Sequence, residues 1–283
     1  MIPIQVILSI SSMVLQNCLF NNVCKKDLTT NDHVYRFNII AYAVCILLFG
    51  LSLIGGSLSL FTVLLALLFG TVTALSNLYK MRSLSTGPMH ITLLITTSSM
   101  IIPTMSGVFF GEGFSIPKLI LVIVLIGFLY LSLDTKKGGE KANRRWLFFC
   151  ALAFLLQGSI GVLQKVHQSS PYKEETNGFL LIAFVCSLLY SRIRAKKSFA
   201  ALHFNKKHVM LAVVCGLCTY CMNFLNLRLS GLLPSQLFFP LVNGSAIVLS
   251  SLMSVLLFKE RLTRRQLVGL CGGILSLIGI CLV

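Results

Sequence analysis

Arg36 stands at the head of an apolar run, followed by Phe37, Ile39 and Ile40. A guanidinium there presents a planar fork of donors that fits a carboxylate or a phosphate bidentately. The same charge at the end of a membrane helix can also anchor it in lipid headgroups. Amide side chains recur inside other apolar runs: Gln16, Asn17, Asn21, Asn38, Asn77, Gln157, Asn223, Gln236 and Asn243. In hydrocarbon such groups turn inward, either to line a polar cavity or to join helices by hydrogen bonds. Gln16, Asn17, Arg36, Asn77, Gln157, Tyr220 and Asn223 are assigned to the lining of a cavity for a small polar or amphipathic molecule.

Other chemistries find little support. His33, His90, His167, His203 and His208 are scattered singly, with no H-E-x-x-H pattern, and no phosphate-binding loop occurs. His90, one turn inside an apolar run, can carry a proton or serve as a hydrogen-bonded interfacial histidine. Cys215, Cys218 and Cys221 form C-x-x-C-x-x-C, but on a helix three thiolates at that spacing do not converge on a metal without unwinding. Cys45, Cys150, Cys186, Cys271 and Cys281 lie in apolar runs and behave as small hydrophobes, so no disulfide framework is expected. No acidic residue falls in the middle of a run. Glu112 and Glu260 sit at helix ends, three residues before Ser115 and Thr263, and read as capping and loop-fixing groups. No catalytic, metal or cofactor site is assigned, and an enzyme is not expected. The alternatives held open are a transport-inactive scaffold or receptor and an intramembrane enzyme acting on lipids.

The elements that must position these residues follow from composition. Of 283 residues 56% are hydrophobic and 11% charged, less than half the charge of a soluble domain. At about 20 apolar residues per crossing, the chain holds some ten membrane helices. Apolar runs mark spans near 3–23, 36–54, 58–79, 88–110 and 117–133, then 146–167, 177–192, 208–228, 232–258 and 266–283. The first run has no basic leader or small-residue cleavage site and is expected to remain as a helix. Of the 24 lysines and arginines, all but Lys118, Lys165, Lys173 and Arg228 fall on odd-numbered connections. Those connections are therefore expected in the cytoplasm, with both termini outside, in the cell membrane. Basic residues so distributed mark topology and lipid contact rather than a nucleic-acid face.

The two halves repeat. Leu15-Gln16 is matched by Leu156-Gln157, and Asn77, Arg82 and Pro88 by Asn223, Arg228 and Pro234 at a constant offset of 146. Phe110-Gly111-Glu112 then Ser115 is matched by Phe258-Lys259-Glu260 then Thr263. The halves are drawn at 1–140 and 141–283. Five spans is an odd number, so consecutive copies insert in opposite senses about an axis in the membrane plane. The expected fold is all-α, with ten transmembrane helices in two inverted five-helix repeats around a central site. Gly107 with Gly111 and Gly269 with Gly273 permit close helix approach, within the chain or in a homodimer.

On the Arg36-Phe37 start of the second span, the closures at Glu112 and Glu260, and the glycine-rich run Gly269-Leu270-Cys271-Gly272-Gly273, the chain resembles the EamA-type transporters of the drug/metabolite transporter superfamily. The resemblance covers essentially the whole chain. It implies ten helices around a central cavity and transport of amino acids, nucleobases or similar small metabolites. The family more often carries basic residues before the first span and on the second connection, and both are missing here.

Overall fold

The computed structural model describes residues 2–26, 31–53, 58–86, 95–96, 98–113, 115–132, 144–195, 206–258 and 263–283. They form ten helices and, among the described residues, no strand. These are α1 (Ile2–Lys26), α2 (Asn31–Leu51), α3 (Leu60–Thr86), α4 (Ile101–Ser106, with a 3-10 turn Gly107–Phe110) and α5 (Ile116–Ser132). There follow α6 (Arg144–Gln168), α7 (Thr176–Arg194), α8 (Lys206–Leu232), α9 and α10 (Arg264–Leu282). Helix α9 runs as Ser235–Phe239, a π turn Pro240–Gly244, and Ser245–Phe258.

Among the described residues six stretches are long and apolar enough to cross a membrane: Asp32–Leu51, Leu60–Lys80, Arg144–Gln168, Lys173–Arg194, Lys206–Leu232 and Arg264–Leu282. Shorter apolar helices cover Ile2–Gln16, Ile101–Phe110, Ile116–Leu131 and Ser235–Leu249. Large apolar side chains face outward as well as inward, and small polar ones are found among the buried residues. Ile4, Leu64, Ile193 and Leu275 face outward, while Ser9, Thr62, Thr104 and Ser187 are buried. Outward leucine and isoleucine suit a hydrocarbon solvent, and small hydroxyls inside return their hydrogen bonds to helix carbonyls. Thr104 gives its hydroxyl to the Met100 carbonyl at 2.7 Å, and Ser276 to that of Gly272 at 2.8 Å.

Two compact units divide the chain. The first comprises Met1–Ala74 and Ser170–Arg228, and the second Leu75–Ser169 and Leu229–Val283. They cut across the halves drawn at 1–140 and 141–283, each taking helices from both. The borders fall inside α3 and α8, so these two helices serve both units.

In the first unit α2 and α7 lie side by side and antiparallel. Tyr42 meets Phe184 at a ring distance of 5.7 Å, Gly50 lies opposite Leu181, and Asn177 donates to the Ser52 carbonyl at 3.3 Å. Each also crosses one further helix at a glycine. A Cβ on Gly70 of α3 would stand 2.4 Å from the Ala183 carbonyl oxygen and 2.9 Å from the Cys186 Cβ, and the Ser187 hydroxyl donates to the Gly70 carbonyl at 2.9 Å. A Cβ on Gly216 of α8 would stand 2.8 Å from the Ala41 carbonyl oxygen and 2.9 Å from the Val44 Cβ, and the Cys45 thiol donates to the Gly216 carbonyl at 3.4 Å. Backbones this close exclude any side chain, which is why glycine occupies both places. The carboxylate of Glu175 holds the start of α3, accepting from the Ser59 hydroxyl at 2.8 Å and the Ser59 amide at 3.0 Å.

In the second unit α5 and α10 are likewise antiparallel. Phe128 lies over Gly272, Leu125 beside Gly273, and Leu121 beside Gly279. Their buried core adds Val122, Leu129, Leu270, Leu277 and Ile280, with Met100 and Val248. Gly158 and Gly161 of α6 take Ile102 and Pro103 of α4 against the helix backbone, with Phe239 of α9 beside Gly161. Thr263 opens α10 with a reciprocal cap, its hydroxyl accepting from the Gln266 amide at 3.3 Å while the Gln266 side chain accepts the Thr263 amide at 2.8 Å.

Helix ends depart from the expected spans where helix and hydrocarbon part company. Helix α3 continues past residue 79 to Thr86, because Lys80 and Arg82 sustain a helix although they end an apolar run. The ninth helix starts at Ser235 rather than 232, since Pro234 takes ψ 140° and removes a donor.

Candidate functional site

Helix α8 carries the polar line of the first unit. Gln16 of α1 donates its amide to the Thr219 hydroxyl at 2.6 Å, and Thr219 passes a hydrogen bond to the Cys215 carbonyl at 2.7 Å. One turn on, Asn223 donates to the Thr219 carbonyl at 2.8 Å. Tyr220 packs its ring on Phe49 at 4.4 Å and lies nearly parallel to Phe224 at 6.3 Å, and Arg228 places its guanidinium 5.5 Å from the Phe224 ring centre. Towards the other end of α1, the Ser9 hydroxyl donates to the Asn226 side-chain oxygen at 2.5 Å. The structure therefore gathers Gln16, Tyr220 and Asn223 into one strip of amides, hydroxyls and aromatic rings.

Arg36 belongs to the same unit and is 1% exposed. Its guanidinium is enclosed by protein, whereas a headgroup anchor would face outward. The side chain of Asn17 lies outside the described residues.

Gln157 and Asn77 belong to the second unit. The Ser76 hydroxyl of α3 donates to the Gln157 side-chain oxygen of α6 at 2.9 Å, with Asn77 the next residue along α3. Nearby, Phe149 of α6 meets Tyr79 at 6.0 Å and lies 5.7 Å from the Arg82 guanidinium carbon. Each glutamine of the Leu-Gln pair is thus held by a hydroxyl on a third-span helix of the opposite sequence half, Gln16 by Thr219 and Gln157 by Ser76. The partner hydroxyls differ by one turn, because the residue 146 before Thr219 is Thr73.

Glu112 does not cap the helix that follows it; Ser115 stands there, accepting weakly from the Lys118 amide at 3.5 Å. The Glu112 carboxylate pairs with Lys165 of α6 and accepts the Ser235 amide at 2.7 Å. Gln236 accepts the Ser115 amide at 3.0 Å. Glu260 and His90 lie outside the described residues. Cys215, Cys218 and Cys221 sit on unbroken α8, and no group of three or more metal-binding side chains gathers among the described residues.

Sequence reasoning passed over Thr219, Ser76 and Lys165. The hydroxyls carry no signal of their own in the sequence, where Thr219 stands one turn before Asn223 and Ser76 directly before Asn77. Lys165 was counted only as a basic residue near a span end.

No protein-family model matches the chain, and no curated protein matches it. The fold is similar to that of a protein solved by crystallography, with TM-score 0.72 and 13% sequence identity over 98% of this chain and 98% of that one. At that identity the likeness shows the fold.

Proposed function

We propose that the chain is a membrane carrier of ten spans in two inverted five-helix repeats, moving a small polar or amphipathic metabolite by alternating access, as the EamA-type family it resembles would. The observation that supports this best is the crossing made twice in the first unit. Ala41, Val44 and Cys45 of α2 meet Gly216, and Ala183, Cys186 and Ser187 of α7 meet Gly70. The glycines are 146 residues apart, and each of the three pairs is 142 apart. Corresponding residues therefore make corresponding contacts. The antiparallel courses of α2 with α7, and of α5 with α10, are what oppositely inserted copies require.

On this reading Gln16, Asn17, Arg36, Asn77, Gln157, Tyr220 and Asn223 face the substrate at some stage of the cycle. Amides and hydroxyls recognise its polar groups, Tyr220 with Phe49 and Phe224 takes an apolar part, and Arg36 suits an anionic one. The odd connections lie in the cytoplasm and the protein resides in the cell membrane.

Flux from proteoliposomes loaded with labelled amino acids, nucleosides and sugars tests the reading, native protein against the double variant Gln16→Leu, Gln157→Leu. Selective loss of one compound class from native vesicles, abolished in the folded variant, is the expected result. Retention of every compound by native protein, with or without an imposed gradient, would count against a carrier.

A further inference from the structure

Between α8 and α9 of the second unit the chain makes a break whose chemistry is dictated by Pro234. An α-helical carbonyl at Ser230 would look to residue 234 for its donor, and proline has no N–H to give. The end of α8 thus presents carbonyls carrying the negative end of a helix dipole, and the start of α9 presents amides carrying the positive end.

Both ends are answered by side chains of the same unit. The Lys165 ammonium donates to the Ser230 carbonyl at 2.8 Å and the Leu233 carbonyl at 3.4 Å, and pairs with Glu112 Oε1. Its three N–H groups meet three oxygens. The other carboxylate oxygen, Oε2, accepts the Ser235 amide at 2.7 Å. The lysine and glutamate side chains are only 7% and 17% exposed. Gly107 makes room for them, since a Cβ there would stand 2.2 Å from Glu112 Oε2 and 2.9 Å from the Ser235 Cβ.

Backbone carbonyls at the C-terminal end of a broken helix are the ligands with which discontinuous membrane helices hold a small monovalent cation, and here one carboxylate oxygen adds a negative charge to them. We propose that the α8–α9 break is a cation seat whose native occupant is the chain's own Lys165 ammonium. The tethered charge takes the place of a dissociable ion, so the native protein binds no inorganic cation there. The direction of the pair is fixed by the backbone: positive charge belongs on the carbonyl side and negative charge on the amide side. Folding reports on this seat whether or not the chain transports anything, so the inference stands or falls apart from the carrier reading.

The test is thermal unfolding of the purified full chain in detergent, comparing the native protein, Lys165→Ala, Lys165→Met and the exchange Glu112→Lys with Lys165→Glu. Loss of one partner of a buried pair lowers the melting temperature by on the order of 10 °C. In Lys165→Ala, methylammonium chloride recovers at least half of that loss where choline chloride at equal concentration recovers none. In Lys165→Met, whose side chain fills the space, methylammonium recovers nothing, and the native protein responds equally to both salts. The exchange variant melts no higher than Lys165→Ala, because each charge then faces the wrong end of the break. Equal melting of Lys165→Ala in the two salts, or an exchange variant that regains native stability, would overturn the seat. If Lys165→Ala cannot be purified alone, its folded fraction is compared after preparation with methylammonium or choline present throughout. A higher fraction with methylammonium supports the seat, and equal fractions overturn it.

Discussion

Gly70 and Gly216, 146 residues apart in sequence, are the two points at which α7 lies on α3 and α2 lies on α8 in backbone contact. An added methyl group at either would meet a carbonyl oxygen, at 2.4 Å from Ala183 for Gly70 and 2.8 Å from Ala41 for Gly216. Backbone yields less readily than a side chain. Overpacking of about 1–3 kcal/mol outweighs the up to ~1 kcal/mol that alanine gains in helix propensity. Gly70→Ala and Gly216→Ala are therefore both destabilising, Gly70→Ala more so. Thermal melts check this, and a rise in melting temperature for either would refute the close crossing.

Thr219 bridges α1 to α8 through its hydroxyl. Thr219→Val preserves shape and leaves the Gln16 amide without its acceptor, at a cost of about 1–2 kcal/mol. Gln16→Leu in the Thr219→Val background restores part of that loss, since both partners are then apolar. A double-mutant cycle by denaturant unfolding measures the coupling, and strictly additive effects would contradict the contact.

Glu175 supports the start of α3 from a distant part of the chain, through both the amide and the hydroxyl of Ser59. Glu175→Gln removes the charge from these hydrogen bonds and costs about 1 kcal/mol, and Glu175→Ala costs more. Ser59→Ala combined with Glu175→Ala costs less than the two separate losses together. Melting temperatures of the four proteins settle the point.

Orientation has a direct check. A reporter fused after Val283 reads extracytoplasmic if the odd connections are cytoplasmic, and a cytoplasmic signal reverses the topology.

The all-α character of the chain was legible because apolar runs and their basic borders record where hydrocarbon ends. The two helices on either side of residues 54–57 were legible for the same reason, as a single rod there would exceed the bilayer. Contact partners were not legible. Thr219 and Ser76 become special only when α1 and α6 lie against them, and small hydroxyls are common on helices with no such neighbour. Lys165 illustrates the limit further. Near the end of an apolar helix it reads as a surface charge, and only the proline 69 residues later, which withholds a donor from Ser230, explains its burial. The compact units were hidden too, because packing mixes helices of both halves of the sequence.

The π turn at Pro240–Gly244 bears on how the two parts of α9 are aimed. A π turn is the local form a helix takes when one residue is inserted without breaking its ladder. In α9 it follows directly on Phe239, the residue that lies beside Gly161 of α6. Each side chain beyond Gly244 is thereby turned about the helix axis relative to the setting that an uninterrupted α-helix would give it.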